Sequence, residues 1–208
     1  SSNLTLGAIL SVNYLMVKVR MQYLKRMIVA IIRLTLKFTA FGFDRKYLQG
    51  RYFLESQWGY KWLLRSIITQ KILGLGNRSC RWPVGPFCQL TQPEYIDFDP
   101  DDINNFQTFG LRMSARNEAR ITIGKGTWIA SGVCILTQNH DLQDVSKVAP
   151  AEAVTIGREC WIGINSVILP GVTLGDHTIV GAGSVVTKSF VEGYCVIAGN
   201  PAIFIKKV

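Results

Sequence analysis

The chain has 208 residues, enough for one ordinary domain with an extension and too short for two large ones. Its residues are 48% hydrophobic and only 18% charged, which excludes a disordered chain because so much apolar surface can offset the entropy of ordering. The formal charge of +9 is localised: residues 1–75 hold 12 Lys and Arg against two acids, Asp44 and Glu55, while the remainder holds 11 against 12, a composition boundary near residue 75.

The first third alternates apolar stretches with basic ones: LTLGAILSVNYLMV, then Lys18, Arg20, Lys25 and Arg26, then MIVAII, Arg33 and Lys37. Its longest uncharged run ends at Val17 and includes Ser and Asn, the lower edge of what spans a bilayer, so a spanning helix is not favoured. Basic, apolar-rich helices without acids fit a segment lying in an anionic membrane interface, with Trp58, Tyr60 and Trp62 as interfacial aromatics. A helical subdomain packing on the rest of the chain is the competing expectation. Nucleic acid is a poor partner for so hydrophobic a segment. The apolar opening carries its charges behind it, unlike a secretory signal, and the five cysteines show no C-x-x-C spacing. A reduced, cytoplasmic compartment is expected, on the membrane's cytoplasmic face if residues 1–75 bind lipid.

From residue 76 onward the expected domain is mainly β. ITIGKG, TWIASG and VCILTQ put Ile123, Ile129 and Ile135 at the same place in successive hexads. Residues 139–153 then abandon the period, and it resumes at Val154 as VTIGRE, CWIGIN, SVILPG, VTLGDH, TIVGAG, SVVTKS, FVEGYC, VIAGNP and AIFIKK. The third position of these nine hexads is Ile156, Ile162, Ile168, Leu174, Val180, Val186, Glu192, Ala198 and Phe204, apolar in eight. Gly follows it in six, which an antiparallel sandwich with its period of two would not enforce. Three short strands per coil of about 18 residues make a triangular solenoid, with equivalent positions of successive coils stacked inside. The interruption reads as a loop thrown out from one corner, and loops on rigid repeats tend to carry function.

QNHD at residues 138–141, WIGINSVILPGVTLG at 161–175, VGAGSVVTKS at 180–189 and AGNPAIFIKK at 198–207 resemble the hexapeptide-repeat acyltransferases. The resemblance is to the galactoside, maltose and nodulation-sugar O-acetyltransferase branch and its relatives in surface-polysaccharide synthesis. It implies a left-handed parallel β-helix and a homotrimer with acetyl-CoA in a groove between subunits. It also implies O-acetylation of a sugar or lipid-linked glycan precursor.

The resemblance assigns His140, in the interrupting loop, as general base. A sugar hydroxyl is a poor nucleophile near neutral pH, and an imidazole can take its proton as the new C–O bond forms. The second ring nitrogen then needs a partner, for which Asp141, Asp144 and a backbone carbonyl are all candidates. By match to the family motif Ala182, Thr187 and Lys188 line the donor groove, and Lys206 stands where an Arg commonly meets CoA phosphates. Ile164 offers a backbone N–H toward the thioester carbonyl. Asn117 and Glu118 fall where relatives place sugar contacts. His177 is expected to be a solvated turn residue. Two histidines cannot supply a three-imidazole metal site, so no metal is expected. N-acetylation of an amino sugar on the same fold is the rival reaction, and a non-catalytic β-helix scaffold is the rival outside enzymology.

Overall fold

The computed structural model describes residues 14–24, 26–27, 30–31 and 42–208. Two compact units divide between Phe41 and Gly42. In the first, α1 is a helix within residues 14–31, and all its described side chains are exposed, Tyr14, Leu15, Met16, Val17 and Tyr23 among them. Most of the uncharged opening, together with Lys25, Arg33 and Lys37, lies outside the described residues. No helix among the described residues is long and apolar enough to cross a membrane.

The second unit is a left-handed parallel β-helix with three faces. Face 1 stacks β1 (Gln89–Thr91), β3 (Arg112–Ser114), β6 (Cys134–Leu136), β9 (Val167–Ile168) and β12 (Val185–Val186). Face 2 stacks β2 (Ile96–Asp97), β4 (Ile121–Ile123), β7 (Val154–Ile156) and β10 (Thr173–Leu174). Face 3 stacks β5 (Trp128–Ile129), β8 (Trp161–Ile162), β11 (Ile179–Val180), β13 (Cys195–Gly199) and β14 (Ala202–Lys207). All these pairs are parallel except β13 with β14.

The hexad arithmetic sets the register. Ile156, Ile162 and Ile168 pair with Leu174, Val180 and Val186, each three hexads further along the chain. Ile123, Ile129 and Ile135 pair with Ile156, Ile162 and Ile168, a step of one coil plus the inserted stretch 139–153. All nine side chains are buried in the coil's axis. The first hexad position also points inward, where Thr127, Ser166, Thr178 and Ser184 hydroxyls satisfy corner carbonyls such as Gly157 O, Gly175 O and Gly181 O. Glycine is required where coils nearly touch: a Cβ on Gly157 would lie 2.6 Å from Asp176 N, and one on Gly163 2.7 Å from Ala182 N.

The last three hexads depart from the expected frame. Val180 pairs with Ile197 rather than Ala198, so Ile197 is the buried residue. Ala198 is half-buried, and Glu192 and Phe204 are exposed. One position is lost after Val186, and the chain then doubles back as β14, which closes the coil with an antiparallel hairpin rather than another parallel turn.

The solenoid also starts earlier than the hexads do. Gln89 of β1 pairs with Arg112 of β3 and Ile96 of β2 with Ile121 of β4, two unequal steps that are both longer than three hexads, so no constant period announces them. A 3-10 stretch, Pro100–Gln107, takes the place of a face 3 strand in this first coil. Asn105 on it donates to Thr127 O at 2.8 Å and accepts from Ile129 N at 3.0 Å, covering the edge of β5 that would otherwise be open.

Residues 42–75 belong to this second unit. The helices α2 (Arg51–Leu54) and α3 (Trp58–Ser66), the latter running into a π-turn at Ile67–Ile72, cap the coil. Phe43, Tyr47, Phe53 and Leu63 are buried there. Tyr47 stacks on Phe98 at 5.0 Å, and Phe98 meets Phe106 at 4.4 Å. Of the aromatics expected at a lipid interface, Tyr60 packs edge-on against Phe53 and Trp62 against Tyr52, so both rings serve the cap instead.

All five cysteines are free thiols. Burial pushes Cys80 up to about 12 and Cys88 up to about 11, against roughly 8.5 for an unfolded thiol. Above about pH 9 the unfolded chain therefore releases protons that the folded chain keeps, and stability falls with pH by up to ~1.4 kcal/mol per unit for each thiol. Thermal melts between pH 8 and 11 should show a shallower loss for Cys80→Ala than for the parent; parallel curves would rule out this linkage.

Candidate active site

Residues 139–153 leave the coil at corner 1/2, between β6 and β7, and the interruption is a small hairpin. Ala149 N–H donates to Asn139 O at 3.0 Å, Asp141 N–H to Lys147 O at 3.1 Å, and His140 is bridged with Val148 between them. Two carboxylates build its tip. Asp141 Oδ1 accepts from Gln143 N and Asp144 N at 2.7 and 3.1 Å, and Asp144 Oδ1 accepts from Ser146 N and Oγ at 3.1 and 2.6 Å. The Ser146 hydroxyl and then the Lys147 ammonium hold the Asp144 carboxyl below the usual carboxylate range.

Neither Asp meets the imidazole. His140 Nδ1 lies 2.9 Å from Val145 O. A carbonyl only accepts, so Nδ1 is the nitrogen that donates, and in the neutral imidazole the lone pair then sits on Nε2, which has no partner among the described residues on an exposed ring. The Asp partner considered from the sequence is thereby replaced: both acids are occupied in turning the loop, and that turn delivers the carbonyl.

Corner 1/2 gathers four more of the candidate residues. Asn117 and Glu118 form the left-handed turn between β3 and β4, one coil before the loop, with φ of +48° and +65°. Arg116 N–H, beside them, donates to Thr137 Oγ1 at 2.9 Å at the base of the loop. Thr187 and Lys188 follow β12 at the same corner, exposed, with Lys188 Nζ 5.8 Å from the Phe190 ring centre.

Ile164 and Ala182 lie elsewhere, at corner 3/1, stacked in successive coils, with Gly183 N–H donating to Ile164 O at 2.8 Å. Their own N–H groups meet no acceptor among the described residues. Lys206 is on face 3, opposite Val196 on β13, and is exposed. The width of face 1 thus separates His140 from Ile164 within one chain.

His177 sits at corner 2/3 with φ +56°, its Nε2 3.2 Å from Glu159 Oε2 and its ring 4.5 Å from that of Tyr194. It is partnered rather than merely solvated. No group of three His, Cys, Asp or Glu side chains able to hold a metal ion occurs among the described residues. The identity of the carbonyl that meets His140, that of Val145, carried no usable sequence signal, since backbone atoms have no letter code.

Three comparisons with known proteins bear on this geometry. The family profile described as bacterial transferase hexapeptide (six repeats) matches residues 153–188. The "Putative lipopolysaccharide biosynthesis O-acetyl transferase WbbJ" of Escherichia coli (strain K12) is 41% identical over 182 residues, covering 72% of this chain and 88% of that protein. Galactoside O-acetyltransferase of the same organism is 37% identical over 131 residues, 60% of this chain and 63% of that one. A solved galactoside acetyltransferase in complex with coenzyme A superposes with a TM-score of 0.43 at 28% identity, covering 60% of this chain and 64% of that chain.

Proposed function

The chain belongs to the hexapeptide-repeat acyltransferases, and from that premise we propose that His140 is the general base of a sugar O-acetyltransferase acting in surface-polysaccharide synthesis. The carrying observation is the imidazole itself, its Nδ1 tied to Val145 O and its Nε2 lone pair open on the loop that interrupts the hexads. The donor is acetyl-CoA. Nε2 takes the proton from the acceptor hydroxyl as its oxygen bonds to the acetyl carbon, and returns it to the departing CoA sulfur. The free Ile164 N–H is suited to the oxyanion that develops between these events. Thr187, Lys188 and Lys206 supply contacts to the donor, Lys206 as a point charge without the fork of an arginine. Asn117 and Glu118 supply contacts to the acceptor.

With His140 and Ile164 on different corners, the site is completed between copies of the chain, as a homotrimer would do. Leu142, Val145 and Val148 on the loop, 99, 75 and 56% exposed, support that reading, since apolar side chains this open call for a neighbouring surface. Residues 1–41, basic and apolar with an exposed α1, are read as a peripheral anchor to an anionic cytoplasmic membrane face, where a lipid-linked acceptor would be found.

The test is acetyl transfer from labelled acetyl-CoA to a panel of sugars, with the bond type read by mild alkali. Alkali-labile product is the expected result. Alkali-stable product would assign the N-acetylation alternative, and no transfer to any hydroxyl or amine would leave the scaffold reading in its place.

A further inference from the structure

Where the 3-10 stretch Pro100–Gln107 replaces a strand, face 3 ends beside a cleft of about 410 Å³, the size of a small-molecule site. Its walls are Tyr52, Trp58 and Trp62 from the helical cap and Trp128 from β5, with Asn104 and Gln107 set among them. Trp58 and Trp128 are 56 and 54% exposed, too open for rings whose purpose is packing. Trp128 is in register with Trp161 on the next strand, itself 56% exposed, so a row of indoles runs along face 3 from the cleft toward Ile164.

We infer that this cleft binds a pyranose of the acceptor glycan beyond the sugar that reacts, an inference that rests on the acetyltransferase reading for the identity of the glycan as acceptor. The chemistry of the walls selects the occupant. The C–H face of a pyranose is apolar and faintly positive, complementary to the negative face of an indole, while its equatorial hydroxyls need amide partners. Of the two lining amides, Gln107 is engaged with Arg65 and with Pro83 O, whereas the Asn104 side chain makes no hydrogen bond among the described residues and is the amide left for a sugar hydroxyl. An acyl chain would leave that amide unmet. A phosphate is a poorer fit, since no lining residue is a cation; of the two cations beside the lining rings, Arg51 is engaged with Asp101 O at 2.9 Å and Asp102 Oδ1 at 3.4 Å, and Lys61 lies 4.4 Å from the centre of the Trp58 ring.

The experiment uses the full chain on an array of bacterial surface oligosaccharides without acetyl-CoA, followed by acceptor kinetics. The parent and His140→Ala should retain the same glycans. Trp58→Ala and Trp128→Ala should each weaken retention about tenfold or more and raise the acceptor KM with kcat little changed, with Trp58→Phe restoring most of the binding. Melting temperature identifies any variant that merely unfolds, and the exposed Trp58 is the safer site. Equal retention by the parent and both Ala variants, or no glycan retained at all, overturns the cleft while acetyl transfer stands. Cleft-dependent retention without any acetyl transfer sustains the cleft as a glycan site and overturns the enzymatic reading instead.

Discussion

Replacing His140 with alanine should lower acetyl transfer by ~10²–10⁴-fold while leaving the KM for acetyl-CoA and the melting temperature near those of the parent. The loop is held by bonds that do not use the imidazole: Ala149 N–H to Asn139 O, Asp141 N–H to Lys147 O, and the turns made by Asp141 and Asp144. What the substitution removes is the Nε2 lone pair, and the Val145 carbonyl, on an exposed residue, regains a partner from solvent. A glutamine at 140 would keep polarity but accept no proton, so it should be as inactive. Turnover within a few-fold of the parent in His140→Ala, measured with a competent acceptor, would remove this residue from the mechanism.

Deleting residues 1–41 should leave a cooperatively melting protein, and deleting residues 1–77 should not. The first cut falls between the two compact units. The second strips Phe53 and Leu63 from the coil's cap, each worth ~1.5–3 kcal/mol of burial. It also removes Gln70, whose amide donates to Cys80 O and Trp82 O and accepts from Val84 N at 3.2 Å, and Ser66, whose hydroxyl donates to Val84 O at 3.1 Å. Stranding those backbone groups costs about 1–3 kcal/mol apiece, so the sum rivals the ~5–15 kcal/mol by which domains are stable at all. The locality of repeat contacts does not rescue the longer deletion, because the end coil has no other cover among the described residues. In the same preparations, the intact chain should sediment with anionic vesicles, less so as salt rises, and the chain beginning at Gly42 should not. An unchanged melt for the chain beginning at Arg78 would mean the cap is dispensable, and an intact chain indifferent to anionic vesicles would end the membrane reading alone.

The legible part of the chain is the part where spacing alone dictates neighbours. A six-residue apolar repeat closes a three-sided coil in only one register, so Ile156 and Leu174 could be stacked on paper, and the interruption carrying His140 could be marked out as a loop. Once spacing varies, that logic fails. The first coil has two unequal long steps, and the last is one position short and closed by the β14 hairpin, so neither follows a period.

Charge counting failed at residues 42–75 for a related reason. The basic residues there are split between exposed side chains, Arg45, Lys46 and Lys61, and half-buried ones, Arg51, Arg65 and Lys71, that hydrogen-bond to the coil, while Leu63, Ser66 and Gln70 face inward at helical spacing that composition does not register. The sequence by itself determined the fold class, the family and the loop that carries His140, because each depends on local order along the chain. Tertiary structure alone decided that a backbone carbonyl orients His140, that this residue and Ile164 occupy different corners, and that four aromatics from Tyr52 to Trp128 close on one cleft. Those depend on distances between residues far apart in sequence, which only the wound coil brings within reach.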